Sequence, residues 1–497
     1  MEIAVTLDSQ SAVPLHRQLY EEIRRAILSG RLAPRTRVPS TRALAGSLGI
    51  SRATVTASYD YLLSEGYLEA ATGSGTYVCK TLPDELLRPQ KGKADQRAGE
   101  AAEKQPPRKP MRVRLSRLGA SLYEKQWLDY GGDEPEIQFT FGRPDLEHFP
   151  MRVWLQLLNQ RAKTNQLWKL DCPSQSRGYV PLREAIADYL ARARAVQCKP
   201  EQVIIVNGSQ QALDLVARVL IDRGDAVGIE NPGYIGAKKV FEVQGANLVP
   251  LGVDASGLVV SQVPANANLK LVYVTPSHQF PTGVVLSLPR RLELLAWAKK
   301  HSAYVIEDDY DSEYRYVGRP VPALAGLDTD QTVIYIGTFS KVLFPALRLG
   351  YLVVPENLID VFARAKWLVD RHSPLLEQQV LTDFIKQGHL ERHVRRMRTH
   401  YQHRRGLVMD VLKREFGGRV TILGDNAGIN VLIRIDSPRS DDEIVRLCRE
   451  RGVGISSTRG FYLGDSPRGE FLLNYAGVSD EQIEQGISRL AQVSLPA

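Results

Sequence analysis

The sequence predicts a multidomain chain: a small, mainly helical domain at the N-terminus, a tether, and a large α/β domain. Three observations carry this reading. Residues 1–80 hold three short amphipathic helical patterns and then an alternating stretch around a glycine-rich tip. Residues 81–120 largely lose apolar periodicity. Beyond residue 130, β-branched runs alternate with helical stretches, which reads as a mostly parallel sheet with helices on both faces. The length of 497 residues fits about three domains. A content of 43% hydrophobic and 24% charged residues is ample for large cores. Mean hydropathy is −0.23, and no apolar run approaches the roughly 20 residues that span a bilayer, so no membrane partner is expected. The first twenty residues lack a basic segment followed by an apolar core, so a cytoplasmic location is expected. Cys79, Cys172, Cys198 and Cys448 lie far apart with no CxxC pair, which excludes a zinc-finger or disulfide scaffold and gives no metal site.

In the first segment, Leu15, Leu19, Ile23 and Ile27 recur every four residues and mark a helix ending at Gly30. Pro34 and Pro39 break the chain, and Ser40 can cap a second helix carrying Leu44 and Leu48 on one face. After the Gly49–Ile50 turn, Ser51 opens a third helix that turns Val55, Tyr59, Leu62 and Leu63 inward. Arg52, Thr54 and Thr56 lie near its start. Two short helices joined by a tight turn, the second opening with hydroxyl and arginine side chains, is helix-turn-helix design. YLEAATGSGTYV then reads as two strands of a wing. The net charge of +8 says little when spread over the whole chain, but eight arginines against two acids fall between His16 and Arg52.

PSTRALAGSLGISRATVTASYDYLLSEGYLEAATGSGTYV resembles the winged helix-turn-helix of the GntR family over almost its whole length. The resemblance implies a double-stranded DNA operator as partner. It implies phosphate or base contacts from Arg42, Ser51, Arg52, Thr54 and Thr56, and a wing at Ser74, Gly75 and Thr76. Arginine can take guanine bidentately, while hydroxyls and backbone amides can hold phosphate.

The stretch from residue 81 to about 120 is rich in Pro, Lys, Gln and Ala and has no aromatic residue before Tyr123. Such a composition cannot bury enough surface to offset its ordering entropy, so it reads as a flexible tether with a reach of about 30–35 Å.

In the large segment, VIIVNG, AVGIE, LVYVTP, AYVIEDD, TVIYIGTFS and LGYLVV read as strands, and LPRRLELLAWAKKH as a helix between two of them. Ligands in such sheets bind in loops at the carboxyl ends of strands. Lys341 falls in such a loop, and a lysine there can form an imine with an aldehyde. Thr338, Ser340 and Arg348 suit a phosphate. Asp308, Asp309 and Tyr310 end another strand, where a carboxylate can hold a protonated pyridine nitrogen. Ser209 and Gln210 open a helix whose amides can point at phosphate, and Tyr234 sits where a ring can cover a flat cofactor.

In this order and spacing the motifs resemble the fold-type I aminotransferases from about Phe139 to the C-terminus. HQFPTG (278–283), EDDYDSEYRY (307–316) and GTFSKVLFPALRLGYLV around Lys341 are similar to the versions found in MocR-type regulators, where that fold follows a GntR-type head. The resemblance implies an N-terminal winged helix-turn-helix (1–80), a linker (81–120) and an α/β PLP-dependent transferase domain of fold type I (121–497) with a smaller C-terminal α+β subdomain. It implies pyridoxal 5′-phosphate (PLP) as cofactor and Lys341 as the Schiff-base lysine. Asp308 would pair with the pyridine nitrogen, Tyr310 with the 3′-oxygen, and Tyr234 would stack on the ring. Ser209, Gln210, Ser340 and Arg348 would surround the phosphate. A homodimer follows from the same resemblance.

Two carboxylate anchors depart from the aminotransferase pattern. No arginine occurs from Glu470 to Val478, where the substrate-binding arginine would fall near Leu472. Gly236 stands where some MocR-type regulators carry arginine, and Asn430 where relatives often have histidine. Either the effector is not a simple amino acid, or Arg459 or another basic residue takes over. The reading is a cytoplasmic, PLP-dependent transcription regulator that senses PLP itself, an amine or an amino-acid-like effector. The competing reading is a working aminotransferase with a DNA-binding head; a third is a structural DNA-binding dimer that has lost its cofactor. Intact Lys341, Asp308, Tyr310 and Arg348 argue against the third.

Overall fold

The computed structural model describes residues 7–8, 11, 13–71, 74–82, 114–124, 135–163, 176–264, 268–316, 321–424 and 427–495. The chain divides into two compact units, Met1–Val113 and Arg114–Ala497. Most of the expected tether, 83–113, lies outside the described residues, as does Cys172; Cys79, Cys198 and Cys448 are free thiols.

The first unit holds α1 (Leu15–Leu28), α2 (Thr41–Leu48), α3 (Arg52–Ser64), and the antiparallel strands β1 (Leu68–Ala71) and β2 (Gly75–Val78). Of the residues the spacing singles out, Leu19, Ile23, Ile27, Leu44, Val55, Tyr59 and Leu62 are buried in its core, while Leu15, Leu48 and Leu63 are half-buried. Ser40 Oγ accepts from Ala43 N at 3.2 Å and Ser51 Oγ from Thr54 N at 3.1 Å, so each serine satisfies an amide that its helix leaves open. Gly49, at φ +65°, makes the left-handed turn between α2 and α3. Leu82 also packs on this core, which therefore runs two residues past the head's expected end at residue 80.

The second unit begins with a helix at Arg117–Glu124, which straddles the expected domain boundary at residue 120. After β3 (Ile137–Gln138) comes an eight-stranded sheet in the order β4-β11-β10-β9-β8-β5-β6-β7. Its strands are β4 (Val203–Val206), β5 (Ala226–Asn231), β6 (Asn247–Asp254), β7 (Gly257–Leu258), β8 (Leu269–Val274), β9 (Tyr304–Asp309), β10 (Val333–Thr338) and β11 (Gly350–Val353). β10, β9, β8, β5 and β6 pair in parallel, and β4, β9 and β10 are buried almost throughout, as expected where helices cover both faces. β11 runs antiparallel to β10 and β4. The reason is local: residues 339–349 hold only a single 3₁₀ turn, too little chain for the helical crossover a parallel return needs.

A smaller subdomain follows. Its antiparallel sheet, order β12-β13-β16-β15, is built from β12 (Val420–Leu423), β13 (Asn430–Ile435), β15 (Ser456–Ser457) and β16 (Glu470–Asn474). The 28-residue helix His389–Phe416 and the helices Asp441–Glu450 and Asp480–Ser494 accompany it; Met397, Tyr401, Ile444, Phe471 and Ile487 share its core. β14 (Val453–Gly454) pairs in parallel with β3, so residues near the start of the unit join this subdomain. The fold is the α/β domain with α+β subdomain that the resemblance implies.

Candidate functional site

The parallel direction of β4, β5, β8, β9 and β10 sends the loops after all five strands to one edge of the sheet. There the chain forms a cavity of about 180 Å³. All eight residues that the resemblance assigns to the cofactor line it, Ser209, Gln210, Tyr234, Asp308, Tyr310, Ser340, Lys341 and Arg348, as does Thr338, whereas Asp309 lies outside the lining and pairs with Arg194 at 2.7 Å. A larger cavity, about 420 Å³, lies beside Arg194, His278 and Asp311 and contains none of them.

At one end, Gly208 turns β4 into the helix Ser209–Leu220 at φ +93°, a conformation side chains resist, and puts that helix's N-terminus at the cavity. Arg348 reaches the same end, its Nη2 donating to Asn207 O at 2.7 Å. Ser340 N donates to Thr338 Oγ1 at 3.1 Å, and both residues line the wall. A helix N-terminus, hydroxyls and a guanidinium together suit a phosphate.

Lys341 and Asp308 line the same cavity. Lys341 Nζ donates to Gly142 O at 2.8 Å. Burial lowers its pKa, and the nearby Asp311 and Asp308 carboxylates only partly oppose this. Asp308 Oδ2 accepts from Tyr273 OH at 2.8 Å, whereas its Oδ1 is buried with no partner. Burial, reinforced by Asp309, pushes the Asp308 carboxyl up to about 7. Tyr310 OH lies 3.0 Å from His278 Nδ1, which is also 3.1 Å from Asp311 Oδ2. Burial holds Tyr310 well above the usual phenol range, so its hydroxyl is a donor. The Tyr234 ring packs edge-on against Phe280 at 5.7 Å.

The residues fit PLP by an observation of their own. A buried, unpartnered carboxylate oxygen calls for a donor, and a protonated ring nitrogen is one. The phosphate-binding groups around Gly208 and Arg348 and an amine of lowered pKa complete the donor set.

Sequence reasoning did not single out Phe141, Gly142, Tyr273, Thr275 or Phe280 as site residues, yet all line the cavity. Leu472 is fully buried beside Leu432, Phe280 and Phe461. A Cβ at Gly236 would meet the Tyr234 ring at 2.5 Å, so a side chain there needs that ring to move. Asn430 Oδ1 accepts from Asn474 Nδ2 at 3.0 Å. Arg459, a candidate replacement anchor, instead pairs with Asp442 at 3.0 Å and is largely exposed, outside the cavity lining.

In the first unit, Arg42 and Arg52 are exposed at the starts of α2 and α3, and Arg52 Nε lies 3.4 Å from Thr41 Oγ1. Thr54 Oγ1 lies 2.8 Å from Ser51 Oγ, and Thr56 Oγ1 donates to Arg52 O at 3.0 Å. Ser51 therefore holds the helix start in addition to any phosphate. Ser74 is exposed at the tip between the strands, with Gly75 and Thr76 partly exposed beside it. Arg37, which sequence reasoning passed over, bridges to Tyr77, and its guanidinium lies over Gly75, where a Cβ would come within 2.9 Å. Nothing but charge could have marked it.

Residues 135–490 match the family model of aminotransferase class I and II, and residues 15–78 that of bacterial regulatory proteins of the gntR family. The chain is 39% identical to a probable rhizopine catabolism regulatory protein, MocR, of Rhizobium meliloti, over 99% of this chain and 96% of that one. It is 31% identical to the HTH-type pyridoxine biosynthesis transcriptional regulator PdxR of Corynebacterium glutamicum, over 99% and 98%. Among solved structures, α-aminoadipate aminotransferase LysN from Thermus thermophilus, complexed with N-(5′-phosphopyridoxyl)-L-leucine, is similar with TM-score 0.67. It is 29% identical, covering 72% of this chain and 91% of that one.

Proposed function

Because the chain belongs to the MocR-type regulators, in which a GntR-type head is fused to an aminotransferase class I/II domain, we propose that it acts as a homodimer. In this reading the large domain senses a small effector, and the heads answer at an operator. The protein is a PLP-dependent, DNA-binding transcription regulator. No helix among the described residues is long and apolar enough to cross a membrane, and a cytoplasmic location is part of the proposal.

The observation that carries the reading is the unpartnered Asp308 Oδ1 in the cavity that also holds Lys341. PLP supplies an electron-withdrawing ring and an aldehyde for which Lys341 and an effector amine compete. Asp308 holds the ring nitrogen, and its charge is favoured once a cation lies beside it. Tyr310, kept protonated by burial and steadied by His278, donates to the ring's oxygen. Tyr234 covers one face. The first turn of the helix Ser209–Leu220, with Gln210, Ser340 and Arg348, holds the phosphate. Lowered in pKa, Lys341 keeps part of its population neutral and nucleophilic. In the head, α3 enters the major groove with Arg52 at a base edge, Arg42, Thr54 and Thr56 toward the backbone, and the wing at Ser74–Thr76 alongside. Exposed Trp367, Leu368 and Val369 on the helix Ile359–Asp370 support a partner copy, since a cluster of large apolar side chains rarely faces water unpaired.

Borohydride reduction of PLP-loaded protein tests the site. Wild type should retain the cofactor covalently on Lys341, and Lys341→Ala should lose the trapped product. A product retained on another lysine overturns the assignment.

A further inference from the structure

The charge inventory of the cofactor cavity is lopsided. Among the described residues lining it, the cations are Lys341 and Arg348. Arg348 stands at the Gly208–Ser209 end and Lys341 against Gly142, so the functional reading commits both to the cofactor. Apart from Asp308 the rest of the described wall is uncharged, and Phe141, Phe280, Pro345 and Ile429 form its apolar part. Phe141 lies 5.4 Å from Phe280 and 5.6 Å from Phe461, and Phe280 lies 5.0 Å from Phe461, ring centre to ring centre. Leu432 and Leu472 back the wall, fully or almost fully buried.

The neutral polar groups nearby are largely spoken for. Thr275 Oγ1 donates to Glu230 at 2.8 Å and accepts from Phe280 N at 2.9 Å. Asn430 offers one amide whose oxygen already accepts from Asn474. Gly236 has no room for a cationic side chain unless the Tyr234 ring moves, and Arg459 pairs with Asp442 outside the lining. A carboxylate brought here would lose its water and find no uncommitted counter-ion among the described lining residues, which is a large penalty, whereas an apolar body would gain by burial.

We propose that the effector is a primary amine with no carboxylate on its amine-bearing carbon, whose apolar body packs on Phe141 and Phe280, the rings that Phe461 backs. The inference rests on the reading of this cavity as the cofactor and effector site. Discrimination here comes from the charge of the wall: the amine needs only the aldehyde and an apolar surface, and the matching amino acid needs a further cation, which the described lining residues do not supply.

The test uses full-length, PLP-loaded protein and pairs of probes that differ only in the carboxylate: isopentylamine against leucine, and phenethylamine against phenylalanine. Binding is read by calorimetry and by the change in cofactor absorption. At least one amine should bind tenfold or more tightly than its amino acid. Leu472→Arg, which adds a cation to the apolar wall, should shrink or reverse that ratio by strengthening amino-acid binding. Should that variant fail to fold, the wild-type ratio decides alone. Loaded protein that binds both amino acids as tightly as their amines, or binds none of the four probes, overturns the inference and leaves the cofactor assignment standing. Protein that takes up no borohydride-trappable cofactor overturns the functional reading as well.

Discussion

Glu230 is buried next to the cofactor cavity, where its Oε2 accepts from Thr275 N at 3.0 Å and from Thr275 Oγ1 at 2.8 Å. Burial outweighs these bonds and raises its carboxyl from 4.5 to about 7. A carboxyl raised in the folded state binds its proton more tightly there than in the unfolded chain. Its stabilising contribution is therefore complete below about 4.5 and is lost as pH rises through about 7. At about 1.4 kcal/mol per pKa unit, the contribution amounts to roughly 3–4 kcal/mol. Cofactor-free Glu230→Gln should lose less stability than wild type between pH 5 and 8, as read from urea midpoints of the large domain; parallel profiles would refute the assignment. Residues of this kind mark the limit of sequence reading at the site. Lys341, Ser340 and Arg348 were legible because one loop after one strand carries them together, and Asp308 and Tyr310 because they end a strand. Tyr273, Thr275 and Phe280 were not singled out, since a tyrosine inside LVYVTP or a phenylalanine before a proline looks like ordinary core. Their role depends on strands that neighbour each other only in space.

Elements were more legible than residues wherever a period repeats. The four-residue recurrence in α1 and the serine caps of α2 and α3 gave the head's helices, and six β-branched runs marked six of the eight strands of the large sheet. β6 escaped because NLVPLGVD is half-exposed, carries a proline and shows no clean alternation. The antiparallel course of β11 escaped because direction depends on connection length, which composition does not reveal. In the head, the sequence marked the recognition element and missed the strap that steadies the wing. Arg52→Ala should weaken specific operator binding by about 1–3 kcal/mol if the side chain reads a base, while Arg31→Ala, outside α3, should matter much less. Gly75→Val is expected to act through the wing. Gly75 sits at φ +116°, and a Cβ there runs into Arg37, so both the β1–β2 tip and the Arg37 guanidinium must shift. DNA affinity should fall while helical circular dichroism stays at the wild-type level. Equal losses from Arg52→Ala and Arg31→Ala in a binding titration would reduce both to bulk charge.

The whole molecule joins a head with its own closed core to a large domain with its own cofactor cavity, and the sequence between them reads as a tether. A single small head makes few phosphate and base contacts, so tight operator binding has to come from two heads acting together. In the proposed homodimer, joining them through the large domains would convert the second contact into an intramolecular one. Its strength is then set by effective concentration over the tether's reach of about 30–35 Å rather than by any new contact. An effector bound in the large domain can alter DNA binding only by favouring one arrangement of the pair over another. Residues 1–82, which include Leu82 of the head core, should therefore fold alone, bind a half-site weakly, and respond to neither PLP nor amine. Full-length protein should bind the complete operator far more tightly and change its footprint when PLP or an amine is added. Equilibrium titration of both proteins on one operator and on a half-site decides the matter. A head that matches the intact protein on the full operator would show that the dimer adds nothing. A cofactor-free protein that remains folded and dimeric, yet protects the same bases as the loaded form, would confine PLP to holding the large domain together.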